Sequence, residues 1–168
     1  MLSFSRGDIT KFKVDAIVNS SKNSLMSGSG VNGAIHLAAG VELEKECKAL
    51  GGCKTGEAQI TKGYLLPAKY IIHTVGPVYK DGKSGEEALL RSCYQNSLAL
   101  AVQFNISSIV FPLISAGTFG YPLEQATTIA VEECSSFLKN HSMDIKINLY
   151  SDNEVKLAAE LFKNVPAS

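Results

Sequence analysis

Short apolar runs alternate with longer amphipathic stretches along almost the whole chain. Val14-Asp15-Ala16-Ile17-Val18-Asn19 is apolar except near its ends, the pattern of a strand buried on both faces. Tyr70–Val75, Ser108–Pro112 and Ile145–Tyr150 repeat it, whereas Leu2–Ser5 and Ala58–Thr61 predict shorter, more exposed strands. Between them, Glu86–Phe104 spaces Leu89, Leu90, Cys93, Leu98, Ala101 and Val102 close to the helical period. Leu123–Leu138 and Glu154–Phe162 do the same, the latter with Asp152 or Asn153 available as N-cap. Ala34–Ala39 forms a further predicted helix, ended by Gly40. Strand and helix in alternation predict an α/β fold, with a mixed, mostly parallel central sheet between two helical layers. In such sheets ligands bind outside the carboxyl ends of the strands, which selects the loops worth reading.

Composition narrows the functional classes. At 168 residues the chain predicts a single domain spanning 1–168. A hydrophobic fraction of 45% with 19% charged residues excludes disorder. Sixteen Lys+Arg balance sixteen Asp+Glu and form no long basic run, so the footprint of a nucleic-acid binder is missing. No apolar run approaches the ~20 residues of a membrane span. The opening Met1–Asp8 has neither the charged lead nor the apolar core of an export signal, which predicts a cytoplasmic protein. Cys47, Cys53, Cys93 and Cys134 make no C-x-x-C pair and read as reduced structural thiols; neither a metal nor a cofactor is expected.

Two loops carry the candidate chemistry. The first follows the strand ending at Asn19 and runs through Ser20–Ser27 to Gly28-Ser29-Gly30-Val31-Asn32-Gly33. Glycines at a strand-to-helix junction let the backbone approach a phosphate, and a helix N-terminus adds unpaired N–H donors. A nicotinamide-type fold would place this turn directly after the strand, so Ser20–Ser27 argue against one. The second loop, Leu113-Ile114-Ser115-Ala116-Gly117-Thr118-Phe119-Gly120-Tyr121-Pro122, follows the strand ending at Phe111-Pro112. Two such loops after neighbouring buried strands can close on one diphosphate. Spacing alone leaves Phe119 equally open to a core or a ligand-facing role.

Gly7-Asp8-Ile9-Thr10, Asp15–Asn19, Gly30–His36, Thr55–Ala58, Leu66–Pro77 and Ser115–Pro122 together resemble a macrodomain, over essentially the whole chain and in the right order. The resemblance is closest to the branch that hydrolyses O-acetyl-ADP-ribose and mono-ADP-ribosyl-protein links. It implies a three-layer α/β/α macrodomain fold that binds ADP-ribose, and possible partners in ADP-ribosylated proteins. By the same resemblance Asp8 accepts from the adenine amino group, with the Ile9 backbone beside it. An acceptor-only carboxylate suits an exocyclic amine. Asn19, Gly28, Gly30 and Val31, together with Ser115, Ala116, Gly117, Thr118, Phe119 and Gly120, would cradle the diphosphate and distal ribose. Tyr150 would lie near the adenosine half or serve as a core or edge aromatic. His36 and His73 match family positions but occupy apolar settings, and read as packed, hydrogen-bonded structural residues.

The chain departs from the hydrolytic pattern at the reacting end. Where that branch reads N-A-A-N, this chain has Asn19-Ser20-Ser21-Lys22, so Lys22 replaces the distal-ribose Asn. In the following G-G-G-V-D-G segment the Asp assigned to the attacking water is replaced by Asn32. An amide cannot serve as a carboxylate base, and loss of general-base help typically removes ~10²–10⁴ in rate. Lys22 could stabilise developing negative charge, or simply add a cation for anion affinity. Two carboxylates lie near these motifs: Asp8 is assigned to adenine, and Glu57 reads as a structural residue. The expectation is an ADP-ribose binder with weak or absent hydrolysis; the alternative is a hydrolase with rearranged groups.

Overall fold

The computed structural model describes residues 1–168. Strands β1 (Leu2–Arg6), β2 (Ala16–Ser20), β3 (Ala58–Lys62), β4 (Tyr70–Thr74), β5 (Ser108–Phe111) and β6 (Asp144–Leu149) form one sheet, ordered β1-β6-β5-β2-β4-β3. Every neighbouring pair is parallel except β3 with β4. Helices α1 (Gly30–Ala39) and α2 (Val41–Leu50) cover one face; α3 (Glu86–Gln103), α4 (Leu123–Leu138) and α5 (Asp152–Leu161) cover the other. The three-layer α/β/α arrangement with a mixed, mostly parallel sheet is the predicted one.

Strand geometry explains why two cores form. Side chains alternate between faces, so a strand covered on both sides must be apolar at every position. In β2, Ala16 and Val18 enter the core beneath α3 and α4, while Ile17 enters the core beneath α1 and α2. Ile72 and Ile71 of β4 divide the same way, as do Ile109 and Phe111 against Val110 in β5. All four cysteines are buried and unpaired, as their spacing predicts.

Several boundaries differ from the sequence reading, each for a local reason. β2 begins at Ala16, because Asp15 turns its carboxylate to the Ser107 N–H (2.9 Å) and hydroxyl (2.8 Å). Helix α1 begins at Gly30, four residues before the predicted start; Gly30 has φ +59° and the Gly33 N–H already donates to the Ser29 carbonyl. Helix α2 has no counterpart in the sequence reading: only Leu43 and Cys47, one i,i+4 pair, are buried in an otherwise charged sequence. Strand β1 is more buried than expected. The Phe4 N–H donates to the Pro166 carbonyl (2.9 Å) and the Ser168 N–H to the Phe4 carbonyl (2.7 Å), so the C-terminal segment lies along it. Tyr150 lies just past the end of β6 and is 84% exposed, which excludes a core role.

The N-cap of α5 is Ser151, not Asp152 or Asn153. Its hydroxyl accepts from the Glu154 N–H (3.2 Å), and the Glu154 carboxylate accepts from the Ser151 N–H (2.7 Å), a complete capping box. Ser151→Ala should therefore lower stability by about 1 kcal/mol, read as a shift of the urea midpoint at unchanged slope.

Candidate functional site

Because β1, β6, β5, β2 and β4 are parallel, their carboxyl ends share one edge of the sheet. Along that edge stand Asp8 after β1, Tyr150 after β6, Ser115–Gly120 after β5 and Lys22–Gly33 after β2. The two glycine-bearing loops are adjacent because β2 pairs directly with β5. At ~4.8 Å per strand, β1 and β2 stand about 14 Å apart along that edge.

At the β1 end, Asp8 caps a 3-10 turn over Ile9–Lys11. The Thr10 N–H (3.0 Å) and hydroxyl (2.6 Å) both donate to Asp8 Oδ1, which leaves Oδ2 free on an exposed residue. The Thr10 hydroxyl, then its N–H, hold the carboxyl below the usual carboxylate range. Ile9 is buried in the core beneath α1 and anchors the turn.

In the β5 loop, Ser115 adopts φ +66°, unusual for a side-chain-bearing residue. Its hydroxyl donates to the Pro77 carbonyl (2.9 Å) and its carbonyl accepts from the Tyr121 N–H (2.9 Å). Gly76 is required opposite it, since a Cβ there would fall 2.1 Å from Ser115 Oγ. Between these fixed points the N–H groups of Gly117, Thr118 and Phe119 make no hydrogen bond inside the protein. Successive free N–H groups after a left-handed residue form a concavity suited to an anion. Phe119 is half-buried, with its carbonyl accepting from the Tyr79 N–H (2.8 Å). Nothing within 4 Å would obstruct a Cβ at Gly117, so this glycine leaves open space above the loop.

At the β2 end, buried Leu25 (φ +64°) pins the loop into the core. The N-cap of α1, Ser29, makes no side-chain cap bond, so the first N–H groups of the helix have no side-chain partner there. Lys22 is exposed; its Nζ and Asn32 Nδ2 lie 3.8 and 3.1 Å from where a Gly28 Cβ would stand. Gly33 has no alternative, because a Cβ there would meet the Gly28 carbonyl at 2.4 Å. Thus Lys22, Gly28 and Asn32 do converge, as their sequence positions suggest.

Asn32 is buried, and both ends of its amide are occupied. Oδ1 accepts from Asn19 Nδ2 (2.9 Å), and Nδ2 donates to the Met26 carbonyl (3.0 Å). Asn19 Nδ2 also meets His73 Nδ1 (3.2 Å), and His73 Nε2 meets Thr61 Oγ1 (2.9 Å), whose own proton goes to the Lys62 carbonyl. This network assigns the His73 proton to Nε2 and makes Nδ1 the acceptor. Burial pushes the His73 pKa down to about 3, and nearby His36 adds to the effect. His36 is buried too and hydrogen-bonds the Leu25 main chain, while its Nε2 has no partner. Glu57 is exposed and bonds through its main chain, the carbonyl accepting from the Thr74 hydroxyl (2.8 Å) and the N–H donating to the Lys54 carbonyl (3.0 Å), so its carboxylate is not tied into the structure.

His36, Cys47 and His73 place ligating atoms within 4.8 Å of one another. The set does not fit a metal: His73 Nε2 carries a proton already given to Thr61, and burial raises the Cys47 thiol to about 11. These are interior side chains, and His73 has a pH consequence. Its unfolded value near 6.5 exceeds its folded value, so below pH 6.5 the unfolded chain takes up a proton the native state refuses. Stability should fall as pH drops from about 6.5 toward 3, by up to ~1.4 kcal/mol per unit. Urea titrations of the unmodified protein and His73→Gln between pH 7 and 5.5 should show the smaller slope in the variant.

The sequence model of the Macro domain family matches residues 18–130. A macro domain-containing protein of Methanosarcina mazei is 55% identical over 148 residues, covering 88% of this chain and 79% of that protein. The ADP-ribose glycohydrolase MACROD1 of Rattus norvegicus is 50% identical over 141 residues, covering 83% of this chain and 55% of that protein. The crystal structure of a Trypanosoma brucei macrodomain in complex with ADP-ribose superposes with a TM-score of 0.89 at 40% identity, over 95% of this chain and 68% of that one. The strand order, the two glycine-bearing loops at one sheet edge and these likenesses lead to one assignment: the chain belongs to the macro domain family.

Proposed function

We propose that the cleft binds ADP-ribose, free or attached to a protein, and hydrolyses such links weakly or not at all. The strand order supports the layout of the ligand. Asp8 and Tyr150 stand at the adenosine end, the free N–H groups of Gly117–Phe119 and the α1 N-terminus face the diphosphate, and Lys22 and Asn32 flank the distal ribose. The free Asp8 Oδ2 accepts from the adenine amine while Oδ1 keeps the turn capped.

The observation that carries the binding-over-hydrolysis reading is the amide of Asn32. Oδ1 accepts from Asn19 and Nδ2 donates to the Met26 carbonyl, which fixes the orientation of the group, and an amide so held supplies no base to activate a water. Lys22 is exposed and contributes positive charge beside an anionic ligand. The 50% identity to an ADP-ribose glycohydrolase supports the competing reading, a hydrolase using other groups.

Asp8→Asn separates adenine recognition from folding. Asn retains an oxygen to cap Thr10, but would present an NH₂ where the adenine amine needs an acceptor. ADP-ribose binding by calorimetry should weaken by about 1.5–3 kcal/mol with little change in Tm. An equal loss for ribose 5-phosphate, which lacks adenine, would remove Asp8 from the site.

Asn32→Asp tests the chemistry. The carboxylate still accepts from Asn19 but repels the Met26 carbonyl, which frees one oxygen toward the cleft at a stability cost of about 1–3 kcal/mol. Turnover of O-acetyl-ADP-ribose or of a mono-ADP-ribosylated protein should rise by ~10²-fold or more, and ADP-ribose affinity should fall. Adding Lys22→Asn should increase turnover further by removing a cation that pairs with the new carboxylate. Rapid turnover by the unmodified protein, undiminished in Asn32→Ala, would establish the hydrolase reading instead.

A further inference from the structure

Glu86 opens α3 and is 3% exposed. Its Oε2 accepts from the N–H groups of Lys80 (2.9 Å), Asp81 (3.1 Å) and Gly82 (3.1 Å), and its Oε1 from that of Ser84 (2.7 Å). Four backbone donors converge on one carboxylate, in a segment whose other residues from Lys80 to Gly85 are all exposed. Within the segment, Asp81 Oδ1 accepts from the Lys83 N–H (2.7 Å) and the Ser84 hydroxyl (3.0 Å), and Glu86 ties the turn so formed to α3. The N–H of Lys80, then the other main-chain donors, pull the carboxyl down to about 2, so the acceptor is an anion throughout the neutral range.

The segment so shaped ends at Tyr79, which touches the phosphate-facing loop twice. The Tyr79 N–H donates to the Phe119 carbonyl (2.8 Å), and its ring packs edge-on against Tyr121, centroids 4.9 Å apart. Gly82 lies tight against the hydroxyl end of the ring, since a Cβ there would fall 2.7 Å from the Tyr79 hydroxyl. Tyr79 thus packs against both Gly82, which Glu86 fixes, and Tyr121. The Ser115 bond to Pro77 latches the near end of the loop and the Tyr79 bond to Phe119 latches the far end. The free N–H groups of Gly117, Thr118 and Phe119 lie between these latches.

We propose that Glu86 is a positioning residue for ligand binding: by shaping Lys80–Ser84 it seats Tyr79, and Tyr79 holds the Ser115–Gly120 loop ready for a diphosphate. The inference rests on the reading of the cleft as an ADP-ribose site. Glu86 touches no ligand; it lowers the cost of ordering the donors, a gain from preorganisation.

The test pairs amide hydrogen exchange, read by mass spectrometry, with ADP-ribose calorimetry on Glu86→Ala, Glu86→Gln and Arg91→Ala. Arg91 lies on the same helix and bonds Glu132 and Glu133 of α4, so its variant perturbs stability without touching the loop. Glu86→Ala should speed exchange across 115–121 and raise the ADP-ribose Kd by about tenfold, with exchange at the start of α1 unchanged. Glu86→Gln, which keeps one oxygen for the three clustered donors, should fall between, and Arg91→Ala should leave both readouts unchanged. Should Glu86→Ala fail to fold, Glu86→Gln decides alone by the same two readouts. Unmoved exchange across 115–121 in a folded variant overturns the proposal, as does faster exchange with unaltered affinity. A wild-type protein that bound no ADP-ribose would sink the reading of the cleft, and the exchange data would still judge the role of Glu86 in holding the loop.

Discussion

Everything at the cleft depends on the placement of β2 between β4 and β5, parallel to both. A strand in that position has no solvent face, so Ala16, Ile17 and Val18 must all be buried and apolar. Parallel pairing also sends the chain out of β2 and β5 on the same side, a few ångströms apart. Two loops far apart in sequence, ending in Gly33 and Gly120, then become neighbours without any contact of their own to bring them together. The cleft is therefore a product of sheet topology, and its lining residues are freed from holding the fold.

The side chains at the β2 end of the cleft are less free. Asn19, Asn32 and His73 form one hydrogen-bonded chain in which Asn19 Nδ2 donates both to Asn32 Oδ1 and to His73 Nδ1, reaching the Met26 carbonyl on one side and, through Thr61, the Lys62 carbonyl on the other. Such a chain transmits constraint well, because reversing one amide leaves two like groups facing each other in a region without water to relieve them. Substituting Asp for Asn32 would thus change more than a catalytic atom. It would break the loop's tie to Met26 while leaving the tie to Asn19 intact.

The layers and the two loops are legible in the sequence because they rest on local pattern: apolar runs at β2, β4, β5 and β6, and glycines just past two of them. Charged α2 is not legible, since Leu43 and Cys47 alone mark its buried side. The N-cap of α5 falls one or two residues before the positions read from the sequence, because Ser, Asp and Asn in succession are all competent caps and only the Glu154 geometry selects Ser151. Within the site, the convergence of Lys22, Gly28 and Asn32 follows from their motif positions. The use of both ends of the Asn32 amide does not, since it depends on Met26 and Asn19 arriving from different segments. Glu86 carries no signal at all: an acidic residue at a helix start is ordinary, and its four main-chain partners become visible only once the preceding loop is folded.

The C-terminal segment along β1 has a consequence of its own. An outer strand with unpaired main-chain groups invites a second molecule to add itself to the sheet. Here Phe4 already spends its N–H on Pro166 and its carbonyl on Ser168, while the ring of Phe162 lies 6.3 Å from that of Phe4. That border of the sheet is occupied by the chain itself, which guards against strand-by-strand stacking of copies through β1.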